Sequence, residues 1–364
     1  MKKIIAILFV QLISAHALTQ DTSFVKNYRL SQSLRETGNS VMERSDGKII
    51  TGGMSNNCTG MTCENSTSIS CFTAGGTEIW HNKFGMSQNT VLYDLVEGNS
   101  LSTIVAGKIN EDILMYKVDV NGNLVWSNGF GSDESDIVLN IVSVNNGYIG
   151  LGYSMGSNGI TTFHGFLFKI NENGTLLWYK RFTQSDDFST YGLAKINDQE
   201  VLVTGSEDHI STLIKLTSDG TIIDSRQFIS SLGSTPYHNA QATVVTVGND
   251  GYFYGTLNIG SSFFIYKTDA SFNLVWSKKL TTSPMFAFNC PVRIVADPTN
   301  GCWLGSNSQG DLPTWIHVSA AGDVLNAYNQ PGVINGVVYG MEFAANGDLL
   351  VAGKNQITTQ YNCF

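Results

Sequence analysis

Val118–Gly131 reads VDVNGNLVWSNGFG, and this stretch decides the fold. It is a short apolar segment, an Asn-Gly turn and a second apolar segment holding tryptophan. Gapless copies begin at Phe72 (FTAGGTEIWHNKFG), Ile170 (INENGTLLWYKRFT), Leu216 (LTSDGTIIDSRQFI), Thr268 (TDASFNLVWSKKLT) and Val318 (VSAAGDVLNAYNQP). The six starts lie 46, 52, 46, 52 and 50 residues apart. Asn-Gly, Gly-Gly and Asp-Gly accept positive φ cheaply and join antiparallel strands, so each copy is a hairpin.

A second hairpin recurs between the copies, marked by Asp46-Gly47, Asn146-Gly147, Asp250-Gly251, Asn300-Gly301 and Asn346-Gly347, with weaker forms at Gly98-Asn99 and Asp198-Gln199. A period near fifty residues built only of short strands and turns is that of a propeller blade. Seven second hairpins against six first hairpins imply a unit split between the chain ends. Phe24–Leu30 (FVKNYRL) lies 100 residues before Leu124–Phe130, and the same offset carries Gly47 onto Gly147. The sequence therefore predicts an all-β, seven-bladed β-propeller with four antiparallel strands per blade, its ring closed by an N-terminal strand that completes the last blade. The tryptophans Trp80, Trp126, Trp178 and Trp276 share one register, which predicts packing between neighbouring blades rather than ligand stacking. Trp303 and Trp315 are off register and read as candidate surface aromatics.

Residues 1–17 have the form of a secretory signal peptide: Lys2 and Lys3, an apolar run from Ile4 to Ala15, then Ala15-His16-Ala17. The run is too short to span a bilayer, and no later segment approaches spanning length. The expectation is a single domain over 18–364, secreted or periplasmic, without membrane insertion. The formal charge is −9, two units more negative once the signal lysines leave. With no basic cluster to release counterions, nucleic acid is excluded as a partner.

Six cysteines, Cys58, Cys63, Cys71, Cys290, Cys302 and Cys363, form an even set in an exported chain and read as disulfide partners. Three lie near each end, so complete pairing requires a bridge between the ends, and Cys363 bonded into the Cys58, Cys63, Cys71 group would staple the seam. Structural zinc fails on spacing. Sequons stand at Asn57, Asn65 and Asn173, candidates for glycosylation where the host supplies it.

The hairpins YKVDVNGNLVWSNGFG (Tyr116–Gly131) and FKINENGTLLWYKRFT (Phe168–Thr183) resemble the repeats of exported bacterial β-propellers of the PQQ-like and seven-bladed repeat groups. The resemblance covers nearly all of the mature chain and implies the fold. Quinoprotein dehydrogenases of this kind usually have eight blades, vicinal cysteines and a calcium site. This chain has no adjacent cysteine pair, so none of their cofactor residues carries over.

Chemistry is sparse. His81, His164, His209, His238 and His317 stand outside any motif, and His317 takes a place held by Lys117, Lys169, Lys215 and Lys267 in other copies. Carboxylates cluster at Asp133, Glu134 and Asp136, at Asp186-Asp187, at Glu207-Asp208 and at Glu111-Asp112, in connections expected on one rim. The segment with Asp133, Glu134 and Asp136 is the best local calcium candidate, although EF-hand spacing is absent. The leading expectation is a secreted non-catalytic module that binds a protein or glycan partner, or self-assembles as a structural subunit. The rival is a carbohydrate-active enzyme, a glycosidase or lyase using rim carboxylates, and it requires two acidic side chains from different blades to converge in one pocket.

Overall fold

The computed structural model describes residues 4–6, 34–59, 62–85, 88–156, 163–182, 188–207, 210–228, 240–259, 262–280, 293–307, 313–329, 334–357 and 360–363. The chain forms antiparallel up-and-down units around an axis. Each unit starts with an inner strand, and the inner strands are Leu34–Glu43, Thr90–Gly98, Ser135–Val144, Phe188–Asn197, Ala240–Val247, Arg293–Ala296 and Ile334–Phe343. The outer strands carry the tryptophan register, as at Leu124–Phe130 and Leu176–Arg181.

The prediction of seven blades is corrected: the strands form six sheets. Two consecutive repeat units, Ser135–Arg181 and Phe188–Phe228, are joined by a parallel bridge between His164 and Phe188 into one eight-stranded sheet. The repeat period counts units, whereas sheets are defined by backbone pairing, and that one bridge merges two units.

Phe24–Leu30, the strand expected to close the ring, lies outside the described residues. The last sheet joins Ile334–Phe343, Leu349–Ile357 and Gln360–Cys363, and Ile4–Ala6 pairs parallel with Leu349–Val351. The ring shuts by packing of the first inner strand on the last. Val41, Ile49 and Phe72 of the first sheet form one core with Ala344, Leu350 and Ala352 of the last, and Glu43 Oε2 accepts from the Ala345 amide at 2.5 Å. Gly340 allows the closest approach: a Cβ there would lie 2.8 Å from Ser40 Cα. Backbone cannot yield as a flexible side chain can, so Gly340→Ala should wedge the seam open. The expected loss is about 2 kcal/mol, typical of overpacking, read as a lower midpoint in urea unfolding.

The cores lie between units, and tryptophans tie four of the seams. Trp80 Nε1 donates to Val120 O at 3.1 Å, Trp126 to Glu172 O at 3.0 Å, Trp178 to Ser218 O at 3.3 Å and Trp276 to Ala320 O at 3.0 Å. Each acceptor lies in the turn of the following unit. The ring then lies over that turn's glycine: at Gly122, with φ +84°, a Cβ would meet Trp80 Cε3 at 2.7 Å. Glycine is needed there both for the positive φ and for the space. Inter-unit packing of these tryptophans is as the sequence predicts.

One seam has the pattern inverted. Asp224 replaces the tryptophan, and the following turn carries Phe272 where its counterparts carry glycine. Phe272 keeps φ +62°, is fully buried against Phe253 with ring centroids 5.9 Å apart, and receives Arg226 Nη1 on its carbonyl at 3.0 Å. The ring thus comes from the opposite side of the seam. A bulky residue at positive φ is strained by about 1–3 kcal/mol, which the buried ring more than offsets. Phe272→Gly should lose about 2–3 kcal/mol net, and adding Asp224→Trp should recover most of it in thermal unfolding, because the pair restores the arrangement of the other seams.

Candidate functional site

Irregularity on the inner strands places the site. The pairing register breaks between Gly38 and Ser40, Leu92 and Asp94, Val138 and Asn140, Thr190 and Gly192, and Val338 and Gly340. A β-bulge re-aims the side chains that follow it. Ser40, Asp94 and Asn140, directly after these breaks, line one axial cavity of about 260 Å³ with Lys195, Arg293 and Glu342.

Asp94 is the hub. It accepts from Ser40 Oγ at 2.7 Å, from the Ile141 amide at 3.2 Å and from Asn140 Nδ2 at 3.5 Å. Arg293 reaches it with Nη2 at 3.4 Å while donating Nε to Tyr339 O at 2.6 Å. Asp94 is therefore an acceptor ringed by donors from three other inner strands.

Glu342 stands in a different setting. It lies two residues beyond Gly340, as Val96 and Val142 lie two beyond Asp94 and Asn140, and both valines line the same cavity. It is half-buried, and desolvation pushes its pKa up from 4.5 to about 8, opposed by a hydrogen bond from the Glu43 backbone and aided by the charges of Asp94, Glu43 and Glu97. Burial disfavours the charged form. The cavity thus presents a carboxyl biased toward its neutral form and an acceptor carboxylate from different sheets.

The sequence-predicted residues lie elsewhere. Asp133 is exposed, Glu134 pairs with Arg181 at 3.0 Å, and buried Asp136 accepts from the Ser132 amide at 2.6 Å and from Ser154 Oγ at 2.5 Å. Glu134 and Asp136 are thus committed to protein donors, and among the described residues no group of three or more His, Cys, Asp or Glu side chains is placed to hold a metal ion. Glu111 pairs with Lys108 at 3.0 Å. Asp186, Asp187 and Asp208 lie outside the described residues, as do His209, His238 and Cys290.

The disulfide expectation is corrected for two cysteines. Cys71 and Cys302 are free and buried, Cys71 among Ile69, Leu92 and Val105 and Cys302 among Tyr254, Ile265 and Ile316. Small apolar volume suits them to these cores, and burial raises both thiol pKa values. Cys71 is therefore no seam partner for Cys363, which sits opposite Lys354. Cys58 and Cys63 are opposed in register on one hairpin. Of the sequons, Asn57 lies in the strand Ile49–Thr59, Asn65 donates Nδ2 to Asn89 Oδ1 at 2.7 Å, and Asn173 is exposed in its turn.

Trp303 and Trp315 are buried, not surface aromatics. Trp303 donates to Asp297 Oδ2 at 2.9 Å and stacks on His317 with centroids 4.4 Å apart. His317 Nε2 meets the same carboxylate oxygen at 2.9 Å, much as Lys267 Nζ meets Asp250 Oδ2 at 2.8 Å. The repeat-variant reading of His317 fits this placement.

No protein-family model matches the chain, and no curated protein matches it in sequence. Among solved structures, puromycin hydrolase matches with a TM-score of 0.59 at 9% identity, over 90% of this chain and 51% of that one. A protein from Lactobacillus plantarum matches with a TM-score of 0.55 at 12% identity, over 80% of this chain and 84% of that one. This chain thus spans about half of the hydrolase. The expectation of a non-catalytic module is corrected toward its rival by the cavity itself, where two carboxyl groups from different sheets, Asp94 and Glu342, come together. At these identities the likeness shows the fold, a β-propeller.

Proposed function

We propose that the chain is a glycoside-cleaving hydrolase working in the axial cavity, with Glu342 as general acid and Asp94 as its partner carboxylate. The observation that carries this reading is the meeting in one cavity of two carboxyl groups from different sheets, Asp94 ringed by donors and Glu342 with its pKa raised by desolvation. Two such groups whose environments push them apart are the usual division of acid and base labour. Glu342 gives its proton to the leaving oxygen as the glycosidic bond breaks. Water supplies the hydroxyl to the sugar carbon, its remaining proton passes to Asp94, and exchange with solvent restores both groups. Arg293, Ser40 and Asn140 hold Asp94 in place. A carboxylated rim is not needed, because the acid pair lies on inner strands.

The test is turnover of a panel of aryl glycosides by the purified full chain, with the anomer of the first-formed sugar read by NMR. Inversion assigns Asp94 as base to water, and retention assigns it as nucleophile. No release from any substrate, with the folded chain verified by circular dichroism, would sink the reading.

A further inference from the structure

The cavity departs in charge from the rest of the molecule. The chain carries −9 overall, yet two cations, Arg293 and Lys195, line a cavity whose carboxyl groups are Asp94 and Glu342, the latter with its pKa raised by desolvation. An acidic protein that gathers two cations around its axial cavity is arranged to draw in an anion against its own surface field.

Arg293 has donor capacity to spare, and Lys195 holds only a solvent-exposed partner. The Arg293 to Asp94 separation of 3.4 Å exceeds the about 2.7–2.9 Å of a close charge-assisted bond, and Arg293 Nη1 has no partner among the described residues. Lys195 pairs with Asp198 at 2.5 Å, with Asp198 73% exposed. An exposed pair of that kind is worth about 0–1 kcal/mol and exchanges readily for a ligand. The 260 Å³ volume falls just below the about 300–1,000 Å³ of pockets for drug-sized ligands, which suits one sugar ring rather than a run of them.

We propose that the group bound in the cavity is a single terminal sugar ring bearing a carboxylate, gripped through that carboxylate by Arg293 and Lys195. The proposal rests on the hydrolase reading and adds the substrate class to it. The planar guanidinium matches a carboxylate in two-point fashion, and Lys195 adds a point charge on a flexible stem.

Matched aryl substrates differing only at C6, a glucuronide against a glucoside and a galacturonide against a galactoside, decide it. The acidic member of at least one pair should be favoured in kcat/KM by about tenfold or more, with the preference shrinking as salt rises. Lys195→Met should raise KM for that acidic member by a larger factor than for its neutral twin. Equal or reversed preference in both pairs overturns the proposal. If no aryl glycoside is cleaved, the hydrolase reading alone fails, and calorimetric titration with glucuronate, glucose and glucose 6-phosphate still decides this one. Glucuronate binding best and weakening in the Lys195→Met chain sustains it. Tighter binding of the phosphate, or no selectivity among the three, overturns it.

Discussion

Replacing Glu342 by glutamine is expected to cut turnover about 10²–10⁴-fold, the usual contribution of a positioned general acid. The wild-type rate should fall as pH rises through about 8, because only the protonated carboxyl can give a proton to the leaving oxygen. The variant should show no such limb. Its stability should change in the opposite sense. The folded pKa of about 8 lies above the ordinary 4.5, so between those values the unfolded chain releases a proton that the folded chain keeps. Stability contributed by this group is full below pH 4.5 and is lost progressively as pH climbs to about 8. Glutamine carries no proton to lose and should recover up to roughly 5 kcal/mol at alkaline pH, read as a urea midpoint that no longer drops across this window. A chain that loses activity without gaining alkaline stability would mean that Glu342 is not buried as a neutral acid.

Asp94→Asn carries the second large effect. An amide has one acceptor oxygen where the carboxylate has two, and its NH₂ would confront the donors of Asn140 and Arg293. Both the base or nucleophile and the counter-charge of Arg293 disappear. Activity should fall by at least about 10²-fold, and stability by about 2 kcal/mol, as for lost hydrogen bonds to a charged group. Ser40→Ala separates the two consequences. It deletes one donor at 2.7 Å and leaves the carboxylate in place, so stability should dip by about 1 kcal/mol while most turnover survives. Equal activity losses in both variants would recast Asp94 as a purely structural hub.

Much of the architecture was legible because hairpin turns and seam tryptophans announce themselves by residue type. The glycine at Gly122 and the indole at Trp80 serve one seam, and both recur at a period anyone can count. The count of sheets was not legible, since it turns on a single bridge between His164 and Phe188 that no composition encodes. Nor was the site. The repeat was aligned on its third and fourth strands, whereas Asp94 and Glu342 sit on first strands, where a bulge displaces the alternation. A faint signal did exist: Tyr93-Asp94, Tyr191-Gly192 and Tyr339-Gly340 share one pattern on three inner strands. An aspartate where its counterparts are glycine, and Glu342 two residues past such a glycine, are the departures that matter chemically. The rim carboxylates drew attention because they cluster in sequence, but Glu134 and Asp136 spend their oxygens on Arg181, Ser132 and Ser154.

The indole that reaches forward onto the next unit's turn gives the molecule a direction. Four units offer a hook on the last strand that enters an eye in the next unit's third turn, so whatever is transplanted there must match a hook on one side and an eye on the other. Exchanging single units between propellers would break two fits at once, whereas exchanging a hook together with the eye it enters would break neither. The Asp224 and Phe272 seam reads as such an exchange already made, with both halves altered together. The smallest heritable part of this protein is thus the joint between units rather than the unit itself.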